Sequence, residues 1–373
     1  MPFEVGSRRI GPGEPLFVVA EIGLNHGGSC AVAQAMIAAA ASAGASAVKI
    51  QTIRADALVS PTCPPPVHVA AASLRDFFRQ FELSEHDHHV LVADAHRVGL
   101  AFMSTPLDEG AVDVLERVGC DAYKIASGDI TYTGLLQRVA RTGKPMVIST
   151  GMSTHEEIAS ALDAVQSAGG GPVALLHCVS AYPVPQDSQN LRAIADLAAT
   201  FNIPVGLSDH STDPQAVVLA VALGASIYEK HFMLVEQTDA VDAAVSATPA
   251  VLAGLIQSAE AARSALGDGR KQCLAPEAGN LAASRRSLYA LRDLHAGEIV
   301  TPDDVVVLRP AIGVDPRSAR YLMGRTLTRD VPAGSPFIVQ DLGAAAIGNT
   351  VHSPTEVAEI TEIGRLEWEA KSR

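Results

Sequence analysis

Eight short apolar runs recur between residues 17 and 231, each separated from the next by a longer segment. They lie at 17–22, 47–51, 101–104, 122–125, 146–149, 173–177, 205–208 and 227–231. The stretches between them, such as 31–43, 85–98, 109–118, 155–168, 191–200 and 214–223, are rich in Ala and Leu and long enough for helices. Parallel neighbours need a crossover that a helix supplies, so this alternation predicts an α/β chain with a parallel sheet covered by helices. Eight such units in about 250 residues fit a (β/α)8 TIM barrel. A doubly wound open sheet is the runner-up, but it usually has fewer strands, and no GxGxxG follows the first run. Hydrophobic content is 48% with only 4% aromatics, so the core must be built from Ala, Val, Leu and Ile.

The barrel pattern spans 1–266. Between its second and third strands, 53–83 forms a long insertion with Pro61, Pro64, Pro65 and Pro66, residues that suit neither a ladder nor a helix interior. It is expected to be a rim loop or lid followed by a short helix at 73–80. Gly267, Gly269, Pro276 and Gly279 give 267–283 the composition of a linker. Beyond it, 284–342 changes to short β-like runs (287–291, 298–300, 305–308, 337–339), the mark of a small β-rich domain. The charged tail 343–373 holds the sole tryptophan, Trp368, and 355–371 could form one amphipathic helix or fray.

A net charge of -13 argues against nucleic-acid partners. No apolar run reaches the roughly 18 residues a membrane helix needs, and 1–14 lacks a signal core. Cys30, Cys63, Cys120, Cys178 and Cys273 form no CxxC pair, which fits a reduced, cytoplasmic setting.

In a barrel the C-terminal strand ends face the active site, and here nearly every proposed end carries chemistry. The first run ends at Glu21, then Asn25-His26-Gly27-Gly28. The second ends at Lys49 and Gln51, two apart and so on one face. Then come Ser104-Thr105, Lys124 with Ser127, Ser149-Thr150-Gly151, and His177 followed by Ser180 and Tyr182. The last two runs end at His210 and His231. Two lysines among hydroxyls and Gly-rich turns suit a phosphate plus a carboxylate. Ser149-Thr150-Gly151 could equally cap the next helix. The paired imidazoles on adjacent strands predict a divalent metal site, favouring Mn, Co, Zn or Fe over Ca and leaving positions open for substrate. Glu21 could complete that site or act as acid and base. His86, His88 and His89 read as a solvated helix face, and Cys178 as core.

The motifs Ala20-Glu21-Ile22-Gly23-Leu24-Asn25-His26-Gly27-Gly28, Val48-Lys49-Ile50-Gln51 and Ser104-Thr105-Pro106-Leu107-Asp108 resemble the sialic acid synthase family, which includes pseudaminic and legionaminic acid synthases. So do Tyr123-Lys124-Ile125-Ala126-Ser127-Gly128-Asp129, Leu176-His177-Cys178-Val179-Ser180-Ala181-Tyr182-Pro183, Gly206-Leu207-Ser208-Asp209-His210 and Glu229-Lys230-His231-Phe232. The segment 285–342 resembles the antifreeze-like SAF module that closes these enzymes. The resemblance implies a transferase that condenses phosphoenolpyruvate with an open-chain N-acylated hexosamine, giving a nine-carbon 2-keto-3-deoxy acid and phosphate. It places Lys49, Thr105, Lys124, Ser127, Ser149, Ser180 and Ser208 around phosphoenolpyruvate. It places Gln51, Tyr182, Asp242 and, from the C-terminal module, Arg309 at the sugar. Glu21, Lys49 and Lys124 become catalytic, and His210 and His231 hold Mn2+ or Mg2+, with Co2+ an alternative. A domain-swapped homodimer is also implied.

Met233-Leu234-Val235-Glu236 and Val241 depart from the family pattern. The acceptor therefore stays open among N-acetylmannosamine, a 2,4-diacetamido-dideoxyhexose and other relatives. Two competing readings are a class I aldolase with a Schiff base at Lys124 and a non-catalytic sugar-binding protein.

Overall fold

The computed structural model describes residues 2–64 and 71–345. The chain divides into two compact units, Met1–Asp268 and Gly269–Arg373. Pro65, Pro66, Trp368 and the helix expected at 355–371 lie outside the described residues.

The first unit opens with an antiparallel hairpin of β1 (Phe3–Val5) and β2 (Arg8–Ile10). Eight parallel strands then close into a barrel, which excludes the open-sheet alternative. They are β3 (Phe17–Gly23), β4 (Ala47–Thr52), β5 (Ala101–Pro106), β6 (Ala122–Ile125), β7 (Met146–Ser149), β8 (Val173–His177), β9 (Val205–Asp209) and β10 (Ile227–His231), with β10 pairing back onto β3. Helices separate successive strands. Ser84 and Thr154 start two of them with capping boxes, and the Asp108 carboxylate accepts from the Gly110 and Ala111 amides to start a third. The sequence reading omitted the hairpin and the helices Thr133–Ala140 and Pro249–Leu266.

Strand side chains alternate between faces. One set (Val18, Ala20, Val48, Ile50, Phe102, Ile148, Leu175) packs outward under the helices. The other set (Phe17, Val19, Ala47, Ala101, Met103, Ala122, Val147, Ala174, Leu176, Ile227) fills the barrel interior. Phe3, Val5 and Ile10 of the hairpin join this inner cluster, so the N-terminal end of the barrel is stoppered by apolar side chains. Each fully buried side chain of this size contributes about 1.5–3 kcal/mol.

In the insertion, Ala55–Leu58 and Leu74–Arg79 are helical. Phe77, Phe78 and Phe81 pack on Leu24, Ile53 and Leu107, residues just past the C-terminal ends of barrel strands. The expected rim element therefore sits at the C-terminal end. Among the described residues no helix is long and apolar enough to cross a membrane.

The second unit begins with a helix, Ala275–Ser284, within the stretch whose composition suggested a linker. Pro276 lies in its first turn, where a missing N–H costs nothing. Two ladders follow, β11 (Ser287–Ala290) with β12 (Val305–Leu308), and β13 (Arg325–Leu327) with β14 (Leu342–Ala345). The runs at 298–300 and 337–339 are not strands, though Ile299 makes an isolated bridge to Thr326. Leu288, Leu294, Val300, Leu322 and Phe337 form the core of this unit.

Gly206 on β9 shows how tightly the barrel is packed. A Cβ there would lie 2.3 Å from the Ile227 carbonyl oxygen and 2.8 Å from Leu176 Cδ2. Gly206→Ala should cost about 1–3 kcal/mol of stability through overpacking, read as a lower urea midpoint with an unchanged slope.

Candidate active site

Two residues beyond the apolar inner layer, the same face of each strand turns polar. Val19 is followed by Glu21, Ala47 by Lys49, Met103 by Thr105, Ala122 by Lys124, Val147 by Ser149, Gly206 by Ser208 and Ile227 by Glu229. Seven of eight strands thus contribute a chemically active group near their C-terminal ends, all buried. The eighth, β8, has Cys178 in that place.

The charges in this ring are tightly paired. Lys49 Nζ lies 2.6 Å from Glu21 Oε2 and 3.6 Å from Glu229 Oε2. It also donates to Thr105 Oγ1 at 3.4 Å. Lys124 Nζ lies 3.8 Å from Glu229 Oε1, which accepts from Ser208 Oγ at 2.8 Å. Burial opposes the Glu229 carboxylate, but Lys124 and Lys49 outweigh it and hold its pKa down at about 2. Burial works against Lys49 too, yet Glu21 and Glu229 raise it, while Lys124, with weaker partners, is lowered by burial. Glu229 has no role in the sequence-based expectation, although it lies in the Glu229-Lys230-His231-Phe232 run. The two-residue alternation that puts His231 in the cavity puts Glu229 there as well.

Beside the ring lies a cradle of small polar groups. Ser127 Oγ accepts from the Gly151 amide at 3.0 Å and lies 3.1 Å from Cys178 Sγ. A Cβ on Gly151 would come within 2.8 Å of Ser127 Oγ and Cys178 Sγ and 2.5 Å of Ser180 Oγ, so only glycine leaves this space free. Ser149 Oγ is buried without a hydrogen-bond partner. Cys178 is buried, as expected of a core residue, but it borders this cradle.

At the rim the imidazoles of His210 and His231 are 5.6 Å apart between ring centroids. Tyr182 packs on both, at 4.1 and 5.9 Å. His210 Nδ1 is engaged by the Val179 carbonyl at 2.9 Å, and His231 Nδ1 lies 3.2 Å from Asp242 Oδ2. Asp242 is lowered, because His231 outweighs its burial. Asp242 Oδ2, Glu21 Oε1 and His231 Cε1 all lie within 3.5 Å of the point a Cβ on Gly23 would occupy. Glu21 therefore touches Lys49 with one oxygen and reaches toward the rim with the other. Gln51 sits beside Thr105 in register and is half-buried. Arg309 is exposed in the second unit.

Other expected polar ends turn away from the cavity. His177 bonds to the Gln189 carbonyl at 2.8 Å, Thr150 Oγ1 donates to the Leu176 carbonyl, and Ser104 Oγ bonds to Thr52. His88 is not solvated: it is buried, with Nε2 3.0 Å from Thr52 Oγ1 and Nδ1 against the Ser84 carbonyl. It shares the inner helix stripe with Leu91, Val92 and Ala95. His86 and His89 are exposed as expected.

A closed parallel barrel with its ionisable groups gathered at the C-terminal end has the architecture of a TIM-barrel enzyme. The NeuB family profile matches residues 36–271 and the SAF domain profile matches 285–342, and the chain belongs to the NeuB family. It is 35% identical over 337 residues to the N,N'-diacetyllegionaminic acid synthase of Legionella pneumophila, covering 88% of this chain and 95% of that protein. It is 34% identical over 332 residues to the pseudaminic acid synthase of Campylobacter jejuni, covering 87% and 96%. The crystal structure of the N-acetylneuraminic acid synthetase of Leptospira borgpetersenii in complex with citrate matches with a TM-score of 0.69 at 32% identity, covering 75% of this chain and 95% of that one.

The buried imidazoles give a pH prediction. Burial, aided by His88, holds His26 down at about 4. Burial likewise lowers His210 to about 4, the Val179 carbonyl opposing and His231 adding to it. The unfolded chain then takes up protons first. Stability from each neutral ring is complete above pH about 6.5 and is lost as pH falls toward 4. The ceiling is about 3 kcal/mol per ring. Urea midpoints measured in chelator should fall through that window, and fall less steeply in His26→Asn.

Proposed function

We propose that this chain condenses phosphoenolpyruvate with an open-chain N-acylated hexosamine, giving a nine-carbon 2-keto-3-deoxy sugar acid and phosphate. The observation that carries the reading is one cluster at the C-terminal strand ends that joins two buried lysines, a cradle of hydroxyls and a pair of imidazoles. Lys49 and Lys124 offset the charge of the enol phosphate. Thr105, Ser127, Ser149, Ser180 and Ser208 donate to its oxygens, and the partnerless Ser149 hydroxyl is a donor with nothing else to bond.

The rim fits a divalent ion, Mn2+ or Mg2+ with Co2+ an alternative. His210 and His231 each have Nδ1 next to an oxygen, which leaves Nε2 for an ion. Among the described residues no group of three or more His, Cys, Asp or Glu is arranged to hold a metal. Two imidazoles as the protein's donors leave the other positions to water and substrate oxygen, as a Lewis-acid site requires. When bound, the ion would polarise the sugar carbonyl. The enol C3 attacks that carbonyl carbon, forming the new C–C bond and leaving positive charge at C2. Glu21, placed between the lysines and the rim, orients water onto C2 and takes its proton. The aldehyde oxygen, left as an alkoxide by the attack, takes the proton held by Glu21; the C2–O bond to phosphate then breaks, the new hydroxyl passes its proton to the departing phosphate, and the ketone results. Gln51, Tyr182 and Asp242 would contact the sugar.

Arg309 would reach the N-acyl group from the SAF module of a domain-swapped homodimer. The legionaminic and pseudaminic names of the relatives favour a diacetamido hexose as acceptor over N-acetylmannosamine. A Schiff-base aldolase draws support from one observation, the lowered Lys124.

Phosphate release from phosphoenolpyruvate with Mn2+ and a panel of hexosamines tests this. Release should require a sugar and be abolished by chelator. His210→Ala and Lys124→Ala should each lose more than about 100-fold in rate, consistent with removing a principal electrostatic or ligand group. Sugar-independent release, or full activity of His210→Ala, would sink the proposal. A borohydride-trapped adduct at Lys124 would favour the aldolase instead.

A further inference from the structure

We infer that Asn25 is a positioning residue that fixes Asp242 against His231 and so sets the shape of the rim; this rests on the proposed two-substrate site and extends it. Asn25 follows β3 and is 3% exposed. All three of its side-chain bonds go to one segment. Oδ1 accepts from the Asp242 amide at 3.0 Å, and Nδ2 donates to the Phe232 carbonyl and to Ser246 Oγ, both at 2.9 Å. Ser246 Oγ donates on to the Asp242 carbonyl at 2.7 Å. The Asn25 carbonyl accepts from Gln237 Nε2, and Gln237 Oε1 accepts from the Leu234 amide.

The segment is anchored at its two ends, where Leu234 packs against the barrel core and Val245 is buried, and Asn25 holds the stretch between them. Its base is closed by Phe232 N to the Glu21 carbonyl and Ala247 N to the His231 carbonyl, both 2.7 Å. Between these points the only regular structure is the single turn Ala243–Val245. Val235 and Val241 are exposed, so apolar burial at these points does not anchor the segment. Asn25 is thus the pin that connects the first barrel strand to the loop after the last one.

What the pin holds is chemically specific. Asp242 Oδ2 lies 3.2 Å from His231 Nδ1. A carboxylate there favours the proton on Nδ1 and so leaves the Nε2 lone pair for an ion, although the contact is a close charge approach and not an aligned hydrogen bond. The same oxygen and Glu21 Oε1 crowd the left-handed Gly23. A small drift of the loop would therefore loosen the imidazole and the sugar end of the cavity. It would leave Lys49 and Lys124, whose hydrogen bonds and ion pairs all go to other residues, in place.

The test compares wild type with Asn25→Ala, Asn25→Asp and Ser246→Ala. Asn25→Asp keeps the side-chain volume but replaces the Nδ2 donor with an acceptor. Mn2+ affinity is read by electron paramagnetic resonance without substrate, and KM is read for each substrate. Mn2+ affinity should fall about tenfold in both Asn25 variants, within the range for residues that orient a ligand. The KM for sugar should rise, and that for phosphoenolpyruvate should stay within about twofold. Ser246→Ala should show the same pattern more weakly, and it decides the matter if the Asn25 variants fail to fold. The inference is overturned if the folded variants keep wild-type Mn2+ affinity and sugar KM, if the KM for phosphoenolpyruvate rises in parallel with that for sugar, or if Asn25→Asp behaves as wild type. Wild-type chain that binds Mn2+ but releases no phosphate with any acceptor sinks the proposed function alone, and the Mn2+ comparison still decides the role of Asn25. Absence of Mn2+ binding by wild type overturns both.

Discussion

The carboxylate of Glu229, lodged between Lys49 and Lys124, is the contact on which the rest of the site depends. Two ammonium groups buried inside one barrel would not stay charged without a counterion, because the cost of removing each from water is several kcal/mol. Glu229 and Glu21 supply that charge, and the formal sum over the four groups is zero. The ring is therefore stable enough to fold, yet it carries donors aimed at one cavity. Removing either partner would leave a buried charge uncompensated, which costs about 3–5 kcal/mol. Stability and chemistry are thus tied to the same four side chains.

Much of this was legible in the sequence because the barrel is written in a period of two on a repeat of strand and helix. The eight apolar runs coincide with the eight barrel strands to within two residues at their ends. The same alternation carries the polar layer, since Lys49, Thr105, Lys124 and Ser149 each sit two residues beyond an interior apolar side chain. Where the reading slipped, local composition outweighed periodicity. The hairpin at the N-terminus is too short to register as a pattern. Ala275–Ser284 contains Pro276 and Gly279, loop residues by composition, yet proline is harmless in a first turn. His88 looked like one of three surface histidines, although its spacing to Leu91, Val92 and Ala95 marks the buried stripe.

The pairing of residues across distant sequence was beyond reach of any such pattern. Nothing in the spacing of Asn25 and Asp242 announces that one holds the other, nor that Gly151 keeps a space free between Ser127 and Ser180. These relations appear only when the barrel closes and β10 lies beside β3. Closure also explains why His177 and Thr150, polar and at strand ends, take no part: their side chains fall on the outward phase of the pleat.

The hairpin of Phe3–Val5 and Arg8–Ile10 gives the barrel a floor. A vessel with one opening imposes an order on traffic. Whatever settles at the depth of Lys49 must arrive before anything occupies the level of the histidines, and it cannot depart until that upper guest has gone. The stopper at the far end thus makes the site a stack, last in and first out.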